Sequence, residues 1–248
     1  MNELMLVTGA GRGIGAATAE LAATRGWTVA VNYLRDQAAA EAVCARIVAA
    51  GGAAFPVQAD VSDETQVLAL FATLDARGLP LTALVNNAGV VGSIAPFCDY
   101  TSARLERTFA INVLGAFLVA REALKRMSTA RGGAGGGIVN LSSAAARIGS
   151  PNEFIDYAAS KGAIDAMTLG LAKEFATQGV RVNAVRPGLI DTEIHASAGA
   201  PDRIERFTPM IPMRRAGTAM EVAEAILWLL SREAAYVTGT FIDVSGGR

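Results

Sequence analysis

The chain has 248 residues, of which 52% are hydrophobic and 18% charged, enough apolar material for one sizeable core. Its 22 Lys and Arg against 23 Asp and Glu leave a net charge of −1 with no basic stripe, which argues against a nucleic-acid surface. No apolar run approaches the roughly 20 residues of a membrane span, and the opening MNELMLVTGAG lacks the basic and long apolar regions of a secretion signal, so a cytoplasmic protein is expected.

No Pro/Ser-rich linker, charge block or internal repeat marks a boundary, and a single domain over 1–248 is expected. In chain order, LMLVTG (4–9) is a strand that runs into a helix over 13–25, WTVAVNY (27–33) a strand before a helix over 37–50, and AAFPVQAD (53–60) a strand before a helix over 63–77. TALVNNAG (82–89) precedes a long helix over 101–128. A glycine-rich turn, RGGAGGG (131–137), leads to the strand GGIVNLSS (136–143) and a helix over 155–177. VRVNAVRPG (180–188), a helix over 219–231 and TFIDVSGG (240–247) complete the pattern. Near-continuous apolar strands alternating with helices indicate a doubly wound α/β fold, a parallel sheet covered on both faces. Cys44 and Cys98 have no C-x-x-C or Cys/His spacing, so buried free thiols are expected and neither a disulfide nor a metal site. The lone histidine, His195, argues against a Ser-His-Asp triad.

Ligands of such sheets bind outside the carboxyl ends of the strands. Those ends are polar or glycine-rich here: Thr8 and Gly9, then Asp60, then Asn86, Asn87 and Gly89, then Ser142 and Ser143, then Pro187 and Gly188. Each alone also suits a turn, but five at one edge favour a site. TGAGRGIG (8–15) passes from strand to helix, and its glycines let the backbone approach a pyrophosphate at the positive end of that helix. Gly9, Gly11, Gly13 and Gly15 fall on alternate positions rather than in G-x-G-x-x-G. Further along, YAASK sets Tyr157 four residues before Lys161, on one helical face. A cation beside a phenol favours its charged form and would pull a pKa of about 10 towards the range of a general acid or base.

T-G-x-x-x-G-I-G at 8–15, N-N-A-G at 86–89, the asparagine of INVLG (Asn112), the serines of NLSS and Y-x-x-x-K, in this order, resemble the short-chain dehydrogenase/reductase family over essentially the whole chain. The resemblance implies a single Rossmann-type domain with a seven-stranded parallel sheet, an NAD(H) or NADP(H) cofactor and a homotetramer. It makes Tyr157 the general acid/base and Lys161 its partner, which would also hold the nicotinamide ribose. A serine would stabilise the substrate oxygen, and Asn112 would help hold a water linking the lysine to solvent. The family serine lies about thirteen residues before the tyrosine, whereas Ser143 lies fourteen and Ser142 fifteen before it. Ser143 is preferred, with one extra residue placed around Pro151.

The resemblance also implies cofactor contacts from Gly9, Gly11, Arg12, Gly13, Ile14 and Gly15, adenine contacts from Asp60 and Val61, lining by Asn86, Ala88 and Gly89, and a nicotinamide wrap by Pro187, Gly188, Ile190 and Thr192. At the end of the second strand Asn32 and Tyr33 stand where a carboxylate would accept from the ribose of NAD, with Arg35 and Arg12 nearby, so NADP is expected over NAD. Substrate identity is expected from 93–99, 147–155 and 190–215. The last is a lid with Ile194, Met210 and Met213, where His195 stands at the surface and Arg203, Arg206, Arg214 and Arg215 form either a solvated face or an acid-binding one. The function expected is interconversion of a small-molecule ketone or aldehyde with its alcohol. The alternatives are a 3-ketoacyl-carrier-protein reductase, a sugar dehydrogenase, or a redox sensor without turnover.

Overall fold

The computed structural model describes residues 3–193, 199–200 and 202–248. Seven parallel strands form one sheet: β1 (Glu3–Val7), β2 (Trp27–Tyr33), β3 (Ala53–Gln58), β4 (Leu81–Asn86), β5 (Gly136–Leu141), β6 (Val180–Pro187) and β9 (Phe241–Val244). Their order is β3-β2-β1-β4-β5-β6-β9, so the winding reverses between β1 and β4. A crevice opens at the carboxyl ends of the strands at such a reversal. Two further short strands, β7 (Ile190–Asp191) and β8 (Gly217–Thr218), pair in parallel and clasp the two ends of the intervening loop.

Both faces of the sheet are covered because successive residues of a strand point opposite ways. Met5 and Val7 pack into one core with α1 (Gly13–Thr24), α2 (Gln37–Ala49) and a C-terminal helix over Ala219–Leu230, while Leu4 and Leu6 pack into the other with α3 (Glu64–Asp75) and a helix over Ala116–Met127. Continuous apolar strands are what a doubly covered sheet requires. Among the described residues no helix is long and apolar enough to cross a membrane.

The single helix expected over 101–128 is divided. α4 (Ser102–Phe109) passes through a widened π-turn, Ala110–Gly115, into α5 (Ala116–Met127). A Cβ on Gly115 would lie 2.8 Å from the side chain of Val61 and 3.1 Å from its backbone, so only glycine lets this turn press on the end of the third crossover. The turn also delivers Asn112 to Val90. Such single wide turns concentrate at functional sites. After β5 come the short α6 (Ala145–Ile148) and the long α7 (Ile155–Phe175), then α8 (Arg203–Phe207) and α9 (Ala219–Leu230). Around Pro151 the chain turns tightly, with Ser150 and Asn152 in left-handed backbone at φ 46° and 61°. This is where the additional residue was expected.

Candidate active site

The glycine-rich loop is held from three sides. Gly9 takes φ 61°, its N–H donates to Asn32 Oδ1 at 3.2 Å, and its carbonyl accepts from Asn87 Nδ2 at 3.1 Å. Asn87 Nδ2 also donates to the Thr8 carbonyl at 2.7 Å, and the Thr8 hydroxyl accepts from the backbone N–H of Asn87 and Ala88. A Cβ on Gly15 would lie 2.6 Å from the Gly9 carbonyl oxygen, so α1 can start this close to β1 only with glycine there. No side chain caps α1, and its first N–H groups remain available to an anion.

A cleft of about 610 Å³ runs from this loop along the sheet edge. Gly9, Gly11 through Gly15, Tyr33, Arg35, Asp60, Val61, Ala88, Gly89, Ser143, Tyr157, Lys161, Pro187, Gly188, Ile190 and Thr192 all line it. One expected contact is corrected, and a second has partners within the protein. Asn86 does not face the cleft: its Nδ2 donates to the Ala116 carbonyl at 2.9 Å and to Asn140 Oδ1 at 3.3 Å inside the core. Asn32 reaches the cleft wall, but it is buried, with Oδ1 taken by Gly9 and Nδ2 shared between the carbonyls of Val57 and Ala59 at 3.2 Å each. It braces the loop to β3.

At the other end of the cleft α7 presents Tyr157 and Lys161 one turn apart. Tyr157 and Ser143 line the cleft together, and the serine side chain favours the ionised phenol. Ser142 also lines the cleft, its hydroxyl donating to the Lys161 carbonyl at 3.3 Å. The Ser143 hydroxyl oxygen accepts from the Ala145 N–H at 3.1 Å, which leaves the serine proton to be given to an oxygen in the cleft. Lys161 donates to the Leu141 carbonyl at 2.6 Å and lies 5.5 Å from the centre of the Tyr157 ring. A Cβ on Gly89 would sit 3.6 Å from Lys161 Nζ, so glycine keeps the space beside the ammonium clear.

The electrostatics differ from the expected pull of the lysine on the phenol. Burial pushes the Tyr157 hydroxyl above its ordinary 10.0, and the neighbouring Ser143 side chain offsets only part of this. Lys161 is affected more plainly: burial lowers it to about 8, against a smaller opposing effect from Asp165. The ammonium lies over the ring rather than against the hydroxyl, with one proton on a backbone carbonyl, so desolvation outweighs charge attraction for both groups. A stability effect follows. A lysine depressed from 10.5 to about 8 binds fewer protons folded than unfolded between those values, so stability rises with pH across that window, by up to about 3 kcal/mol. Urea denaturation should show this rise in the wild type and not in Lys161→Met.

Asn112 is buried and does not line the cleft. Its Oδ1 accepts from the Val90 N–H at 2.8 Å, and its Nδ2 donates to the Val90 carbonyl at 2.9 Å and the Ser160 hydroxyl at 3.1 Å. It thereby ties the segment following N-N-A-G to α7. Of the segments expected to carry specificity, Ile148, Ser150 and Phe154 line the cleft and 93–99 does not. Met210 and Met213 are exposed outside it. Ile194 and His195 lie outside the described residues. Arg203 is buried on Glu153 rather than solvated.

Residues 9–248 match the family model described as enoyl-(acyl carrier protein) reductase. The sequence is 56% identical over 245 residues to the uncharacterized oxidoreductase YgfF of Escherichia coli, covering 99% of both chains. It is 38% identical over 242 residues to glucose 1-dehydrogenase 2 of Bacillus subtilis, covering 98% of this chain and 93% of that one. A crystal structure from Burkholderia xenovorans, described as a short-chain dehydrogenase/reductase, aligns with a TM-score of 0.88 at 31% identity, covering 99% of this chain and 97% of that one. The chain belongs to the short-chain dehydrogenase/reductase family.

This short-chain dehydrogenase/reductase is therefore an oxidoreductase acting on CH–OH and C=O groups, of a family that binds nicotinamide cofactors. Its own geometry fits such a cofactor: the position of a Gly15 Cβ is closed off, the start of α1 is uncapped, and the cleft continues unbroken from there to Tyr157. Two further residues shape the cleft of the dehydrogenase/reductase beyond the roles expected of them. Asn87 pins the glycine loop, for which the N-N doublet was the available signal. Arg248 lines the cleft from the far end of the chain, where nothing local pointed to it.

Proposed function

We propose that the protein interconverts a ketone or aldehyde with its alcohol using NADPH and NADP+, with Tyr157 as the general acid/base. The observation that carries this reading is that Ser143, Tyr157 and Lys161 line the same cleft that begins at the glycine loop. When bound, the nicotinamide supplies or takes up the hydride. In reduction, the Tyr157 hydroxyl gives its proton to the substrate oxygen as negative charge develops there. Ser143 donates to the same oxygen, its acceptor side being occupied by the Ala145 N–H. Lys161 keeps two of its three N–H donors beyond the Leu141 carbonyl, suited to a ribose diol. Asn112 acts by holding Val90 and Ser160 in place, the latter three residues from Tyr157.

The names of its relatives fit a reaction at a carbinol or carbonyl carbon: glucose 1-dehydrogenase, 3beta-hydroxysteroid dehydrogenase and 3-oxoacyl-[acyl-carrier-protein] reductase. The preference for NADP rests on Arg12 and Arg35, which line the adenosine end of the cleft and make no ion pair among the described residues. The nearby Asp36 carboxylate caps α2 by accepting from the Ala39 N–H at 2.9 Å, so it is engaged elsewhere. A homotetramer and a cytoplasmic location belong to the same proposal. Leu114, Phe117 and Leu169, exposed on the π-turn, α5 and α7, are apolar positions that a second copy would cover.

Titrating the protein with NADPH and NADH by nicotinamide fluorescence tests the cofactor assignment. NADPH is expected to bind more tightly, and Arg35→Ala to weaken it by about 10-fold or more, as loss of a charge-assisted phosphate contact implies, with little change for NADH. NADH binding equal to NADPH would reverse the assignment. A carbonyl panel with NADPH then tests the reaction itself.

A further inference from the structure

The four arginines of the loop between β7 and β8 have different fates. Arg215 is paired with Glu221, and Arg214 donates to the Pro209 carbonyl; neither lines the cleft. Arg203 does line it, and it is only 8% exposed. Its two terminal nitrogens donate to the two oxygens of Glu153 at 2.7 and 2.8 Å, and its guanidinium lies 4.7 Å from the centre of the Phe207 ring. Arg248 also lines the cleft, with its guanidinium 5.0 Å from the same ring. Arg206 approaches that ring too, at 5.0 Å, but is half exposed and leans on Glu153 at 3.5 Å and Asp202 at 4.0 Å.

Three guanidinium groups thus gather around one phenylalanine, and Glu153 serves two of them. The Arg248 guanidinium has no carboxylate partner among the described residues, while its main-chain oxygen accepts from the Ser245 hydroxyl at 3.0 Å. The carboxylates that line the cleft are Asp36, Asp60 and Glu193, at the β2 and β3 ends and beside Gly13. At the end formed by Ile148, Phe154 and Tyr157 the nearby carboxylate is Glu153, which Arg203 and Arg206 already hold. An unpaired guanidinium beside two others, over apolar walls, is relieved by an anion, and its planar fork matches a carboxylate or phosphate.

We propose that the natural substrate carries an anionic group, a carboxylate or phosphate on the carbonyl compound, and that Arg248 docks it beside the Arg203–Glu153 pair. The proposal rests on the carbonyl-reducing reading above. Arg203 is a positioning residue: its charge is largely answered by Glu153, and its stacking on Phe154 and Phe207 sets the wall against which the anion lies.

The test uses oxo acids whose carbonyl stands at successive distances from the carboxylate (pyruvate, acetoacetate, levulinate) against their methyl esters, and dihydroxyacetone phosphate against dihydroxyacetone, all with NADPH. Wild type is expected to favour at least one charged member over its neutral counterpart by about 10-fold or more in kcat/KM, through KM. Arg248→Gln should bring that ratio near one and Arg248→Lys restore part of it, with an NADPH titration checking the fold of each variant. The acid arm and the phosphate arm separate the two sources of charge. Neutral members turned over as well as charged ones, or a preference that survives Arg248→Gln, would overturn the anion proposal while leaving carbonyl reduction standing. No Tyr157-dependent turnover of any member would remove both.

Discussion

Phenylalanine in place of Tyr157 lowers kcat for carbonyl reduction by about 10²- to 10⁴-fold, the range that a positioned proton donor supplies. The substitution deletes one oxygen and keeps the ring, so the lysine over its face and the surrounding packing persist. NADPH should therefore still bind, and the loss should appear in the chemical step. Because burial holds the phenol above its ordinary 10.0, it stays protonated through neutral pH and reduction proceeds with the acid form in place. Alcohol oxidation needs the deprotonated form, so its kcat/KM should climb with pH beyond neutrality in the wild type. A pH series in both directions checks this. A Phe variant within about 10-fold of wild type would transfer the proton to another group and remove Tyr157 from the mechanism.

Arg104→Ala should cost about 3–5 kcal/mol of stability, the usual effect of stripping the partner from a buried ion pair. The Asp156 side chain is fully buried, and Arg104 grips it with Nε on Oδ2 and Nη2 on Oδ1, both at 2.9 Å, while Thr108 donates to Oδ2 at 3.1 Å. Arg104 also donates to the carbonyls of Ser93 and Glu153 and stacks 3.5 Å from the centre of the Tyr100 ring. Burial pushes the Asp156 carboxyl up, but the bonds from Arg104, from the Tyr157 backbone and from Thr108 outweigh it, and the group ends below its ordinary 3.8. A depressed carboxyl contributes stability above its unfolded pKa and loses it as pH falls through the folded value. The gap between wild type and variant should thus be full at neutral pH and narrow below about pH 4. Urea denaturation at both pH values measures it, and a neutral-pH gap under about 1 kcal/mol would contradict the argument. Asp156 directly precedes Tyr157, so kcat should fall as well.

Much of this molecule follows from short-range pattern. Strand positions came from apolar runs, since a strand covered on both faces needs an apolar residue at each step, and the structure returned β1 through β6 within a few residues of those runs. The glycine loop was legible because backbone conformation at Gly9 and space at Gly15 depend on neighbours close in the chain. The shared face of Tyr157 and Lys161 needed only the helical repeat. What local pattern did not decide was where each buried polar group finds its partner. Asn32 and Asn86 were placed at the ligand edge by their positions at strand ends. Asn32 is bonded instead to Gly9 and to the carbonyls of Val57 and Ala59, and Asn86 to Asn140 and Ala116 across the sheet. The helix over 101–128 reads as continuous, and only Val61 packed on Gly115 and Val90 bonded to Asn112 explain its wide turn. The sign of the phenol shift likewise depended on burial, which is not visible in Y-x-x-x-K.

The sequence by itself determined the alternation of strands and helices, the phosphate-side loop and the tyrosine–lysine pair, because each rests on chain periodicity or on conformations that glycine alone adopts cheaply. Only the tertiary structure decided that the Ser142 hydroxyl is bonded to the Lys161 carbonyl, that Arg203 is buried on Glu153, and that Arg248 joins it at Phe207. Those contacts join residues far apart in the chain, and hydrogen bonding and desolvation act between whichever groups the folded sheet brings within a few ångströms, whatever their separation in sequence.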